Sequence, residues 1–386
     1  MRNAAKYIYA DNAATTKLNP SALESMLPFL KEEYGNPSSL YSFSQSAKKA
    51  LQNAREQIAE CIGATPEEIV FTSGGAESNN WAIRNFIFRG FHKQRRILTS
   101  PIEHHTILNC CAEAAKRLNF TIISTPVDKQ GRVSLPEYKE NISEHIDGIS
   151  IMLANNEIGT IENVSMLAEI AKTHCIPFHT DAVQAVGHVP VNVQKLGIDM
   201  LSASAHKFNG PKGVGFLFAR KGMPLGNFIY GGQQESGRRA GTENIASIVG
   251  MATALKINCA SMKENMERLN LMSENVRVYI RSKLPNAVFN GDLEKCLPGH
   301  ISLSLRDISG ESLLHLLDLR GIAVSTGAAC NSKSEEISHV LRNIDLPRSL
   351  SRGTIRISFG TNNTDKDATF VAKEIVSMYR KLLTIK

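Results

Sequence analysis

The run DMLSAS (199–204) ends on Ser204, and Ala205, His206 and Lys207 follow before a loop that contains Gly210, Pro211, Lys212 and Gly213. A lysine where an apolar strand stops is either a solvated charge or a reactive amine held at the mouth of a sheet. Other strand-like runs also end on residues that can do chemistry. EIVFTS (68–73) is followed by Gly74 and Gly75 opening a helix. The free backbone N–H groups and dipole of a helix start suit a phosphate there, although a tight turn alone explains the glycine pair equally well. RILTS (96–100) leads to His104 and His105, and GISIMLA (148–154) to Asn155, Asn156 and Glu157. IPFHT (176–180) leads to Asp181, with Gln184 three residues on. Singly, each has a plainer role, such as a structural imidazole, a turn amide or an N-cap carboxylate.

Their order argues for more. Ligands of open α/β sheets bind beyond the carboxyl ends of the strands, and all of these residues follow strands. A phosphate turn, an imidazole, an amide turn, a carboxylate, a hydroxyl (Ser204) and an amine at one edge are what a phosphorylated pyridine aldehyde needs. The amine bonds to the aldehyde, the carboxylate keeps the ring nitrogen protonated, and the helix start takes the phosphate. Asp181 and Lys207 lie one strand–helix–strand step apart, so both can face one cofactor. Lys207 is therefore read as a reactive amine.

The elements that must position these residues are legible from about residue 45. SAKKALQNAREQIAECIG (46–63) is amphipathic and is predicted to be a helix ending on Gly63. The five runs above, with TIISTP (121–126) and GVGFLFA (213–219), make seven strands separated mostly by helical segments. Apolar runs without alternation imply a mostly parallel sheet covered on both faces. After Gly250 the character changes. Residues 257–284 read as one long charged helix connecting two domains. HISLSLR (300–306), IAVST (322–326) and TIRISFG (354–360) read as strands, with a helix at 311–321 and a last one from Thr364 to about Leu383. The last helix opens on T-D-K-D, a start resembling a capping box. The expectation is an α/β protein with a large domain over 16–260. A smaller α+β domain is expected from 1–15 with 261–386.

Bulk properties narrow the function. In 386 residues, 42% are hydrophobic and 21% charged, which is ordinary for a globular protein. No apolar run approaches the ~20 residues that span a bilayer, and the first residues lack the apolar core of a signal peptide. A cytoplasmic protein without membrane contact is expected. The net charge of +7 is spread over the chain, and the basic runs HKQRR (92–96) and RKG (220–222) are short. No aromatic-interleaved basic stripe calls for nucleic acid. Seven cysteines cannot all pair internally and show neither CxxC nor metal-finger spacing, so no metal is expected. Most, including Cys61 and Cys175, are expected to be buried small hydrophobes in a reducing cytosol. Cys330, which opens a polar Ser-rich loop, stands apart.

Motifs across nearly the whole chain resemble the NifS/IscS-type cysteine desulfurases, which are class V aminotransferase relatives of fold type I dependent on pyridoxal 5′-phosphate (PLP). They are YADNAATT (9–16), YGNPSS (34–39), FTSGGAESNN (71–80), Glu103–His104, NNEIGT (155–160), HTDAVQAVG (179–187), SAHKFNGPKGVG (204–215), GGQQESGRRAGTEN (231–244), NGDLE (290–294), STGAACNS (325–332) and RISFG (356–360). The resemblance implies that Lys207 is the Schiff-base lysine, with Asp181 on the pyridine nitrogen and Gln184 on the phenolic oxygen. His104 would stack on the ring and shuttle a proton. Gly75, Ala76, Ser204 and His206 would line the phosphate. Thr242 would reach the phosphate of the neighbouring subunit, which makes a homodimer necessary. Asn156, itself beside the cofactor, and Arg356 would hold the substrate carboxylate. Cys330, on a loop of about 326–338, would be the nucleophile that takes sulfur from L-cysteine, releasing L-alanine. The persulfide would then pass to an acceptor protein for iron–sulfur cluster assembly or for thiolation of tRNA or cofactors. Selenocysteine lyase or a desulfurase dedicated to another pathway, such as DNA sulfur modification, is the alternative, and a non-catalytic sulfur-relay scaffold is disfavoured by the presence of both Lys207 and Cys330. Two departures stand out. Ala76 occupies a position where the family usually has threonine, and the chain stops at YRKLLTIK (379–386) where many members continue into a scaffold-docking tail.

Overall fold

Short runs without polar alternation form a sheet that is buried on both faces. The computed structural model describes residues 7–89, 95–118, 120–142, 145–326 and 337–384. The chain opens with β1 (Ile8–Tyr9), α1 (Pro20–Lys31) and α2 (Gln45–Ile62). It then alternates through β2 (Ile69–Thr72), α3 (Gly75–Arg89), β3 (Arg95–Thr99), α4 (His105–Arg117), β4 (Phe120–Ser124), α5 (Leu135–Asn141) and β5 (Gly148–Ser150). Next come α6 (Val164–Thr173), β6 (Phe178–Asp181), α7 (Val193–Leu196), β7 (Met200–Ser204) and β8 (Gly215–Ala219). The seven-stranded sheet has the order β2-β8-β7-β6-β5-β3-β4. Its pairs are parallel except where β8 runs antiparallel to β2 and β7. This is the mostly parallel sheet expected from the apolar runs.

Helices on both faces explain those runs. On one face Ile58 of α2, Leu167 of α6 and Phe178 and Phe216 of the sheet join one apolar cluster. On the other, Trp81 and Phe86 of α3 and Ile107 of α4 pack with Ile97, Met200 and Leu217. Burying each such side chain is worth roughly 1.5–3 kcal/mol.

The remaining elements are α8 (Ile245–Ala260), α9 (Met262–Lys283), β9 (Val288–Asn290), β10 (His300–Ser304), α10 (Gly310–Asp318), β11 (Ile322–Ala323), α11 (His339–Asn343), α12 (Arg348–Ser351), β12 (Thr354–Ser358) and α13 (Asp365–Thr384). β12, β10 and β9 form an antiparallel sheet, and β11 pairs in parallel with β1. A separate cluster that includes Ile280, Leu303, Ile355, Ile357 and Val371 lies under it. Thr364 and Asp367 cap α13 reciprocally, at 2.9 and 3.2 Å.

Two expectations are corrected. Residues 257–284 are not one helix, because α8 and α9 meet at a 70° bend around Ser261. The Ser261 hydroxyl and N–H both donate to the Ile257 carbonyl, at 3.0 and 3.2 Å, a local competition that bends helices. α8 is core-buried at Ile248, Met251 and Leu255, whereas α9 carries the charged face. Cys175 is exposed rather than buried, in a turn after α6 with φ 55°. Cys61 is half-buried and shares a hydrogen bond with the Cys259 thiol. Among the described residues no single helix is long and apolar enough to cross a membrane.

Candidate active site

After β3 the chain moves outward to β4 and then returns to the other side of β3 as β5. Such a reversal of strand order opens a crevice at the carboxyl edge. The end of β6, which carries Asp181, and the turns after β3, β5 and β7, which carry His104, Asn156 and Lys207, emerge there.

Asp181 is fixed from two sides. Its Oδ2 accepts from Asn79 Nδ2 at 2.6 Å and its Oδ1 from the Val183 N–H at 3.0 Å. Asn79 Nδ2 also donates to Thr106 Oγ1 at 2.9 Å, and that hydroxyl lies 2.8 Å from His104 Nδ1. The Thr106 N–H donates to the same Nδ1 at 3.1 Å, making His104 the N-cap of α4. With Nδ1 occupied as an acceptor, the network assigns the proton of the neutral ring to Nε2. Burial pushes the His104 pKa below its usual value; Asp181 opposes the shift, and Lys207 and His105 reinforce it.

Lys207 and Gln184 meet at one carbonyl. Lys207 Nζ donates to Ala13 O at 2.6 Å and Ala14 O at 2.8 Å, and Gln184 Nε2 donates to Ala13 O at 3.0 Å. The strap that carries these carbonyls is held down by bonds from the Thr16 N–H to His206 O (2.9 Å) and from the Asn209 N–H to Thr16 Oγ1 (2.8 Å). The His206 ring pairs with Thr15 Oγ1 at 3.1 Å. Its pKa is driven down to about 4 by burial and by Lys207 and Lys212, so it is neutral at pH 7.

The Gly74–Gly75 turn lies at the same edge. A Cβ on Gly75 would stand 2.5 Å from Val183 Cγ2, and one on Gly74 would stand 3.4 Å from Ser204 Oγ. Gly74 also has φ +148°, which L side chains rarely adopt. The turn therefore approaches both the Asp181 turn and buried Ser204. Ala76 follows, exposed, in the first turn of α3, where backbone N–H groups have no intrahelical acceptor.

Arg356 enters from β12. Its Nη1 donates to Asn156 O at 2.9 Å and its Nη2 to Asp11 Oδ1 at 2.8 Å, while Nε is buried without a partner among the described residues. A buried orphan donor on a guanidinium beside an amide turn suits a carboxylate. Two buried acids flank the site. Glu103 accepts from Ser100 Oγ (2.6 Å) and the Met152 N–H (3.0 Å), yet burial drives its pKa up to about 8. Glu157 accepts from Ser338 Oγ and is likewise pushed up by burial, to about 7.

The structure thus brings His104, Asp181, Gln184, Gly75, Ser204, His206 and Lys207 to one edge, with Asn156 and Arg356 in contact beside it. Thr242 is exposed on the segment between β8 and α8. Cys330 lies outside the described residues. Asn79, Thr106, Asp11 and the Ala13 and Ala14 carbonyls were not singled out from sequence. Asn79 lay within a quoted motif but had no signal to separate it from Asn80, whose side chain bonds back to its own helix at Ala76 O (2.9 Å).

A family model, Aminotransferase class-V, matches residues 8–371. The chain belongs to that family. Within it, the chain falls among the IscS- and NifS-type cysteine desulfurases. It is 46% identical to the cysteine desulfurase IscS of Dictyoglomus turgidum, over 98% of this chain and 96% of that protein. A solved NifS-like protein superposes with a TM-score of 0.91 at 36% identity, covering 98% of this chain and all of the other. Another solved neighbour, SspA in complex with cysteine, gives a TM-score of 0.79 at 33% identity over 91% of this chain and 98% of its own. The family is PLP-dependent, and the donor set fits that group. The chain offers a clamped carboxylate, an amine, an amide, and a helix start so crowded that a Cβ on Gly75 would clash.

Proposed function

We propose that this enzyme binds PLP and converts L-cysteine to L-alanine, leaving the sulfur as a persulfide on Cys330. The observation that carries the reading is the convergence of Lys207 and Gln184 on Ala13 O beside the carboxylate clamped by Asn79 and Val183. When bound, PLP supplies a ring that spreads negative charge developing at the substrate Cα. Lys207 anchors the cofactor and then moves the proton at Cα. Asp181, unable to rotate, holds the proton of the pyridine nitrogen, and Gln184 reads the phenolic oxygen. His104 would stack on the ring, with its Nε2–H available for proton transfer. Gly75, Ala76, Ser204 and His206 take the phosphate, joined by Thr242 from a second subunit. Asn156 and Arg356 take the substrate carboxylate.

The sulfur step balances without an outside oxidant. The Cys330 thiolate bonds to the substrate sulfur while the S–Cβ bond breaks, and Cβ keeps the electron pair and takes up a proton, for which His104 Nε2–H is available, to become the alanine methyl. The thiolate form is the nucleophile. The solved neighbour in complex with cysteine supports the choice of substrate. We read the persulfide as destined for an acceptor protein, feeding iron–sulfur cluster assembly or the thiolation of tRNA or cofactors.

We also read the chain as a large unit, 16–260, and a smaller one from 1–15 with 261–386, a division supported by the separate apolar clusters. A homodimer is supported by solvent-facing apolar side chains: Leu40 is 96%, Tyr230 81% and Tyr34 74% exposed. A cytoplasmic setting is supported by the chemistry itself, because a thiol-borne persulfide beside free Cys61, Cys110, Cys111, Cys175, Cys259 and Cys296 suits a reducing compartment.

The test is turnover of L-cysteine by the purified protein with PLP and a thiol reductant. Alanine and sulfide are expected in equal amounts, and Lys207→Ala is expected to make neither. Bound PLP with cysteine left intact would contradict the reading.

A further inference from the structure

The segment that leads to Thr242 is tied down by two carboxylate–guanidinium forks. Glu235 accepts from Arg55 Nη2 at 2.6 Å and Arg55 Nη1 at 2.9 Å, and its Oε2 also accepts the Phe71 N–H at 3.0 Å. The Glu235 side chain is only 3% exposed. Arg55 belongs to α2, and its guanidinium lies over the Phe71 ring, 4.4 Å from the centroid. Arg239 makes the second fork, with Nε and Nη2 on the two oxygens of Glu77 at 2.9 and 3.1 Å. Glu77 in turn accepts the Ser73 N–H at 2.9 Å. The forks therefore grip β2 and α3, the two elements on either side of the Gly74–Gly75 turn.

The backbone between the forks is forced. Glu235 and Ser236 both adopt left-handed conformations, with φ of 49° and 58°, which are unfavourable for residues other than glycine. Strain of this kind persists only where surrounding contacts over-determine it, and the buried Glu235 fork supplies those contacts. Three residues beyond Arg239 the chain presents Thr242, exposed. A polar residue held outward by strained backbone and two charged forks has no task in its own subunit's core.

We propose that Arg55–Glu235 and Glu77–Arg239 are positioning pairs that set the 231–244 segment so that Thr242 enters the cofactor pocket of the partner subunit. The inference rests on the reading of Thr242 as a phosphate ligand in trans. Each subunit's forks then govern how tightly the other subunit keeps PLP more strongly than how tightly their own does.

Mixed dimers of the full chain, made with two affinity tags, test this. PLP retention on dialysis is read as occupancy of Lys207, fixed by borohydride and measured by peptide mass. In the first dimer one subunit carries Glu235→Gln with Lys207→Ala and the other is unaltered, so the remaining lysine faces the altered segment. PLP loss there is expected to be about tenfold faster than with Lys207→Ala alone, the scale of one charge-assisted bond. In the second dimer Glu235→Gln sits on the subunit that keeps Lys207, opposite a Lys207→Ala subunit, and PLP loss is expected to stay much closer to the control than in the first dimer. The reverse pattern, or equal loss in both dimers, overturns the proposal. Arg239→Gln, at a partly exposed position, is carried through the same pair so that a folding defect of Glu235→Gln does not decide the result. Thr242→Val in the same dimers separates the two readings. If it has no trans effect, the assignment of Thr242 has failed and the positioning role falls with it. If it acts in trans and the fork variants do not, only the positioning role has failed.

Discussion

Asp181 and Arg356 illustrate what single residues contribute. Asp181 has one orientation because Asn79 and Val183 take one oxygen each. Arg356 has two of its donors satisfied and a third buried without a partner among the described residues. Arg356→Lys replaces the planar fork by a point charge and is expected to raise KM for L-cysteine by roughly 10- to 100-fold, with a smaller fall in kcat. An unchanged KM in steady-state kinetics would remove Arg356 from substrate binding. Ala76→Thr restores a hydroxyl in the first turn of α3, at an exposed position with room for it. It is expected to tighten PLP by about 1.5–3 kcal/mol, measured as slower loss on dialysis, and unchanged retention would show that Ala76 costs nothing. Lys207, Asp181 and His104 were legible because reactive side chains at strand ends have few structural reasons to recur along one edge. Asn79 was not, because helical spacing alone does not say which of two adjacent asparagines faces inward. Backbone carbonyls such as Ala13 O carry no side-chain signature at all.

At the scale of elements, buried acids join the turns to one another. Glu103 ties the turn after β3 to the Met152 N–H beyond β5. Ser338 caps α11, accepting from the Val340 N–H at 3.1 Å, and donates to Glu157. The Glu103 pKa rises from 4.5 to about 8 on folding, chiefly through burial. Between those values the folded state keeps a proton that the unfolded chain has lost. Its contribution to stability is therefore full below pH 4.5 and disappears as pH rises through about 8. Glu103→Gln keeps the shape without the titration and is expected to flatten this part of the Tm-against-pH profile by a few degrees. A variant profile parallel to that of the parent would rule out Glu103 as the titrating group. β7 and β8 were readable because burial on both faces leaves runs of apolar and small residues, whereas β6 carries His179, Thr180 and Asp181 buried within it. The break at Ser261 was not, since it has neither proline nor glycine and follows from a hydroxyl bonding back to Ile257 O. β8 was legible as a strand, but its antiparallel direction is a matter of topology that composition does not encode.

At the scale of the whole molecule, the described residues form two apolar cores and a crevice at the sheet's carboxyl edge, and leave Leu40, Tyr230 and Tyr34 facing solvent. Leu40→Glu combined with Tyr230→Glu places charge at the two most exposed large apolar positions among the described residues. This pair is expected to shift the sedimenting species to the 42.3 kDa monomer and to weaken PLP retention. A dimer that survives both changes would move the interface elsewhere. The central claim is that sulfur passes from L-cysteine to Cys330 as alanine leaves, and its most direct test is a single turnover without reductant. The PLP-loaded protein is mixed with L-cysteine, quenched and digested, and the Cys330 peptide is weighed while alanine is counted. One added sulfur on Cys330 for each alanine released, with none of either from Cys330→Ala, is the expected result. Alanine released at the parent rate by Cys330→Ala, or with the Cys330 peptide unchanged, would contradict it.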